Sequence, residues 1–317
     1  MIWLTGLIGL LAAGAVAYVD VNATEETDAS EPDLNIPPQP GEILTGTENA
    51  DNLIGGEGDD QIGGYGGDDI LYGGAGNDVA HGAQGNDTLI GGDGNDSIHG
   101  EDGDDVLIGG EQDDQIAGHN DNDMIFGNAG ADRLQGSAGD DHLSGGSGDD
   151  VLQGGLDDDV LKGGSGADTL FGGWGNDTLD GVSIAPDGEL EIKESDSDFL
   201  NGGSGDDLIL TGADDIVTGG SGADQIVTGD WISQGHRAQI LDFEPVEDAL
   251  LFVWDDSDPD SLEPDVQMQD DPDNAGQLQI LMEGKVIAQV AGSRALEDAD
   301  LALVPLSAAQ SLGFAPV

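Results

Sequence analysis

The sequence predicts an all-β fold: a right-handed parallel β-roll with a small C-terminal β-rich cap and an apolar N-terminal segment. Three observations point there. A nine-residue unit, G-G-x-G-x-D-x-U-x with U apolar, recurs fifteen times without a gap from Gly46 to Asp180. Its first position is Gly and its sixth is Asp in all fifteen copies, and its eighth is Leu or Ile in every copy except at Ala80. Aromatic residues make up 4% of the 317-residue chain while Gly numbers 55, too few large side chains for one thick globular core. A fixed period of this size marks a solenoid, in which no unit buries its own apolar residue and stability comes from stacking on neighbours.

Each unit divides into a strand and a turn. The triplet x-U-x reads as a short strand with its middle side chain inward and its flanks outward, because strand side chains alternate faces. The other six residues form the turn. Two units carry the chain out and back, so strands of alternate repeats stack in parallel about 4.8 Å apart. Leu53, Ile62, Leu71, Leu89, Ile98, Leu107, Ile116, Ile125, Leu134 and their successors fill the thin space between the two resulting sheets.

The turn G-G-x-G-x-D is Gly-rich because glycine takes φ > 0 without steric cost and lets backbone approach a ligand closely. It ends in a carboxylate. Hard cations such as calcium take about six to eight oxygens from such carbonyls and carboxylates. Stacking aligns Asp60, Asp78, Asp96, Asp114, Asp132, Asp150 and Asp168 on one edge, and Asp51, Asp69, Asp87, Asp105, Asp123, Asp141, Asp159 and Asp177 on the other. Repeats that resume later add Asp207 and Asp224. A column of like charges at strand spacing is destabilising, and a divalent ion between successive turns converts that repulsion into coordination. These seventeen aspartates are the predicted calcium ligands.

On these residues the chain resembles the repeats-in-toxin (RTX), or haemolysin-type, calcium-binding proteins over roughly half its length. The resemblance implies a roll that folds on calcium, a secreted or cell-surface location, and a C-terminal signal read by a type I export system, although no residue pattern defines that signal here.

The chain falls into four parts. Residues 1–19 are uncharged and apolar, nearly long enough to cross a bilayer. Ala15-Val16-Ala17 suits a signal-peptidase site, but the usual basic start is missing, so cleaved signal, uncleaved membrane anchor and buried segment all stay open. Residues 20–42 form an acidic linker with a Pro37-Pro38-Gln39-Pro40 cluster. The roll spans 43–230 and is interrupted at 181–197, a loop or hairpin with a Pro186-Asp187-Gly188 turn. Residues 231–317 are the cap. They open with Ile240-Leu241-Asp242-Phe243 and Asp248-Ala249-Leu250, similar to the I-x-D-F-x-x-x-x-D-x-L segment that follows the last repeats in the RTX family. Leu250–Trp254 reads as a strand and Gln277–Val290 as a hairpin turning at Glu283-Gly284.

Departures from the repeat are informative. Position four, Gly in eleven copies, is Asn49, Gln112, Asp121 and Asp157 in the others. Asn and Asp tolerate left-handed backbone better than Gln, so the Gln112 turn is the least ideal ion site. An outward stripe of Ile54, Tyr72, Ile90, Ile108 and Phe126 steps by eighteen residues along one sheet. Such a stripe marks a surface covered by the chain itself, or one that meets a partner or a second copy. On the other sheet His81 and His99 stack, read as an exposed polar ladder rather than a transition-metal site.

Sixty-seven acids against six bases give a net charge of −61. That excludes nucleic acid as a natural partner, since phosphate binding needs clustered Lys and Arg. The absence of Cys excludes a disulfide framework. No H-E-x-x-H and no G-x-S-x-G is present, and the Gly-rich turns end in Asp where a phosphate loop would carry Lys. The favoured expectation is a non-catalytic, extracytoplasmic calcium-binding protein with a structural, adhesive or surface role. The alternative is a secreted hydrolase with an unrecognised catalytic region in 231–317, carried by the roll.

Overall fold

The computed structural model describes residues 41–182, 196–229, 232, 236–254, 256, 263–291 and 301–312. The expectations for residues 1–19, for most of the linker and for the loop or hairpin at 181–197 lie outside these residues, apart from its ends. Among the described residues no helix is long and apolar enough to cross a membrane.

Two sheets run side by side. One has fourteen strands, from Ile43–Thr45 through Gln61–Gly66, Val79–Gln84, Ser97–Asp102 and onward to Ala238–Ile240, followed by Lys285–Ala291, Gln277–Met282 and Val266–Asp270. The other has twelve, from Asn52–Glu57 through Ile70–Ala75 to Ala249–Trp254 and Leu301–Pro305. Consecutive strands of the roll belong to alternate sheets. Pairing is parallel and in register at eighteen residues, as in Leu71↔Leu89 and Ile98↔Ile116.

Strands are twice as long as the repeat pattern predicts. Gln61–Gly66 and its equivalents cover positions seven, eight, nine, one, two and three, leaving only positions four to six as the turn. The reason lies in position one. Its residue faces inward beside position eight, and a Cβ built on Gly55 would lie 2.2 Å from Asp60 Oδ2 and 2.5 Å from the Gly73 carbonyl oxygen. Position one is therefore Gly because the aspartate of its own repeat occupies the space, while positive φ is confined to positions two and four, as at Gly56 (+122°) and Gly58 (+98°).

The position-eight residues build one continuous core, with Leu71, Leu89, Leu107, Ile125, Leu152 and Leu170 fully buried. The stack survives its irregularities. Thr169–Trp174 pairs with Phe199–Ser204 across the interruption, and Phe199–Ser204 pairs with Ile216–Ser221 across the shortened repeat. The C-terminal strands prolong the same core: Ile240, Phe243, Leu250, Phe252, Ile280 and Val290 join it. The hairpin Gln277–Met282/Lys285–Ala291 turns at Glu283 and Gly284, with φ of +54° and +75°, and its second strand pairs in parallel with Ala238–Ile240.

The apolar stripe lies in register along the twelve-stranded sheet, Ile54↔Tyr72↔Ile90↔Ile108↔Phe126. Ile54 is 63% and Tyr72 41% exposed, whereas the other three are half-buried.

Two stability predictions follow from the core and the turns. Leu107→Ala is expected to cost about 2–5 kcal/mol in calcium-saturated protein, read as a lower denaturation midpoint, because the thin core has no second layer to collapse into the cavity. Gln112 sits at φ +76°, where its glycine equivalents range from +91° to +147°. Left-handed backbone costs a side-chain-bearing residue roughly 1–2 kcal/mol, so Gln112→Gly should raise the same midpoint by an amount of that order.

Candidate metal centre

The repeat's aspartate is held by the coil geometry before any ion is considered. The Asp60 backbone N–H donates to Asp78 Oδ1 (2.7 Å), Asp78 to Asp96 (2.8 Å), and Asp96 to Asp114 (2.8 Å). The chain of bonds continues through Asp132, Asp150 and Asp168 to Asp198 and Asp215. The other edge runs from Asp51 through Asp69, Asp87, Asp105, Asp123, Asp141, Asp159, Asp177 and Asp207 to Asp224 and Asp248. Both predicted columns therefore exist, and the structure lengthens them by Asp198, Asp215 and Asp248. Each of these three opens a D-x-U triplet, Asp198-Phe199-Leu200, Asp215-Ile216-Val217 and Asp248-Ala249-Leu250, the signal by which they could have been found.

One carboxylate oxygen is thus used, and the other is stranded. Asp60, Asp69, Asp78, Asp87, Asp96, Asp105, Asp114, Asp123, Asp132, Asp141, Asp150, Asp159, Asp168, Asp177, Asp198, Asp207 and Asp224 all bury Oδ2 with no hydrogen-bond donor among the described residues. Beside it lies another acceptor. For Asp60 this is the Gly73 carbonyl, for Asp78 the Gly91 carbonyl, and for Asp207 the Gly219 carbonyl, each from the next coil of the same edge. Acceptors gathered in a dry place without a donor cost free energy unless a cation or proton joins them. With six bases in the chain, the protein cannot supply enough cations itself. An oxygen-only donor set suits a hard divalent ion.

Column ends behave differently. Asp51 Oδ2 accepts from the Thr47 backbone N–H (2.6 Å) and hydroxyl (2.9 Å). Asp215 Oδ2 accepts from Gly212 N–H (2.6 Å), and Asp248 Oδ2 from Glu244 N–H (2.7 Å). At these three ends protein donors already occupy the oxygen that is stranded elsewhere, so Asp51 stands apart from the rest of the predicted set.

Sequence reasoning also missed a second ladder, at position five. Asn77 N–H donates to Asp59 Oδ1, Asn95 N–H to Asn77 Oδ1, and Asp140 N–H to Asn122 Oδ1. Where they form, its bonds run opposite to those of position six. The signal was the excess of Asp and Asn at a position written x; Ala131 and Ala167 donate to the ladder but cannot accept.

Burial, and then the neighbouring carboxylates of the same column, push the acids up from their ordinary 3.8: Asp96 to about 6, Asp105 and Asp114 to about 7, Asp123 and Asp159 to about 8. The amide bond to Oδ1 opposes this but does not outweigh it.

A family model described as the RTX calcium-binding nonapeptide repeat, four copies per match, fits residues 45–80, 81–116, 117–152, 153–182 and 194–226. No curated protein matches the chain. Repeats of this type bind calcium, and the stranded oxygens fit that ion.

The raised acids set a pH dependence. A carboxyl whose folded pKa lies above its unfolded value stabilises the fold while protonated, and the contribution disappears as pH rises through the folded value. Calcium-stripped protein is therefore expected to keep sheet structure at low pH and to lose it as pH climbs from about 6 to about 8. Far-UV circular dichroism across that range checks it; metal-free sheet that strengthened with rising pH would contradict it.

Proposed function

The chain belongs to the RTX calcium-binding nonapeptide-repeat family, and from that premise we propose that it is a non-catalytic, extracytoplasmic protein whose roll folds on calcium and then serves a structural, adhesive or surface role. The row of buried Oδ2 atoms without donors carries this reading. We assign the ligand role to those aspartates, from Asp60 to Asp224, with the position-one carbonyls beside them. Calcium, when bound, supplies the positive charge that the column lacks.

The protein's own part is positional. Each Oδ1 is fixed by the amide of the coil before it, so Oδ2 faces the next coil only when the two are stacked. Ligands brought together by stacking make binding energy and folding energy the same quantity. Extracellular calcium modules have dissociation constants of about 10⁻⁴ to 10⁻³ M. In a low-calcium cytoplasm the acidic chain repels itself and stays unfolded, a state suited to export by a type I system. Outside, calcium closes the roll. The exposed part of the stripe around Ile54 and Tyr72 supports a role in meeting a protein partner or a second copy.

A calcium titration followed by circular dichroism tests the reading: sheet content should appear cooperatively and vanish on chelation near neutral pH. Sheet content indifferent to chelator would sink it. Asp96→Asn keeps the Oδ1 acceptor and removes the charge. Loss of one charged ligand contact, about 1.5–3 kcal/mol, should weaken the site that Oδ2 faces by about tenfold or more and raise the calcium midpoint.

A further inference from the structure

On the outer face of the fourteen-stranded sheet, four side chains that the calcium turns do not use converge. His81 and His99 pair in register on Val79–Gln84 and Ser97–Asp102, with ring centroids 4.8 Å apart and planes 8° from parallel. Glu101, two residues beyond His99 on the same face, sets Oε1 3.5 Å from His81 Nδ1. His119, opposite Glu101 on the next strand, brings Nε2 to 3.1 Å from His99 Nδ1. The donor atoms of His81, His99 and Glu101 all fall within 4.8 Å of one another.

We propose that His81, His99 and Glu101, with His119 packed beside His99, form a surface site for a divalent transition ion of the zinc class, separate from the calcium columns. The donor set separates the two: imidazole suits zinc, copper and nickel, whereas calcium takes oxygen. The spacings agree. Bonds of about 2.0–2.1 Å in a tetrahedral shell place neighbouring ligand atoms roughly 3.3 Å apart; His81 Nδ1 and Glu101 Oε1 stand at 3.5 Å, and the donor atoms of all three residues lie within 4.8 Å. Ser97 Oγ lies 3.3 Å from His99 Nε2. Donation of the Nε2 hydrogen to Ser97 is the outer-shell arrangement that orients metal-bound histidines, and it leaves Nδ1 as the ligand atom once an ion replaces its contact with His119. His81 and Glu101 remain nearly half exposed, which gives an ion a route in.

Zinc titrated calorimetrically into the full-length protein in saturating calcium is expected to show one tight site. His99→Ala, an outward position that leaves the core residues in place, should weaken it by at least about tenfold with the circular dichroism spectrum unchanged. Zinc uptake that is absent, or the same in His99→Ala, overturns the proposal, the second because the ion would then sit on the aspartates. X-ray absorption on zinc-loaded wild-type protein decides independently of any variant: a shell with several imidazole nitrogens supports the site, and an all-oxygen shell overturns it.

Discussion

The molecule depends on one carboxylate doing two things. In each turn Oδ1 accepts the backbone N–H of the aspartate one coil back, at 2.7–2.9 Å through most of both columns. That bond locks the side chain so that Oδ2 is buried with nothing to accept from. The stacking that orders the backbone therefore creates the demand for a cation in the same step. A parallel solenoid of short, glycine-rich strands gains little from its thin core, and each coil contacts only its neighbours. Its stability and its ion content cannot be separated.

The ends of the columns show the same logic with the ion replaced. Thr47 serves Asp51, Gly212 serves Asp215, and Glu244 serves Asp248, each supplying an N–H to the oxygen that is stranded elsewhere. Asp242, in the segment that leads into the cap, receives the N–H groups of both Gly219 and Gly220. The solenoid thus stops where the chain offers its own donors, and the core passes into the strands beyond without a break through Ile240, Phe243 and Leu250.

Ladder and core together claim positions one, four, five, six and eight. Side chains at positions seven, nine and two point to the outer faces, and there the two sheets diverge. One carries the apolar stripe of Ile54, Tyr72, Ile90, Ile108 and Phe126; the other carries His81, His99, Glu101 and His119. Coils that are interchangeable inside can differ outside, since a side chain that contributes nothing to stacking is unconstrained by it.

The sequence by itself determined the register. A side-chain period of two within a repeat of nine allows a single alignment that keeps Leu71, Leu89 and Leu107 inside and the aspartates in line, since a one-residue slip turns every apolar residue outward. Strand pairing at eighteen residues, the composition of the core and the membership of both columns, Asp207 and Asp224 included, were legible for that reason. Strand length was not, because the pattern shows which positions point inward and does not show that position one also lies flat in the sheet beneath its aspartate. Nor were the separate roles of Oδ1 and Oδ2, or the meeting of Glu101 and His119 with two histidines. Those depend on distances of about 3 Å between atoms a coil apart. Only the pitch of the folded roll fixes such distances, and no single repeat contains them.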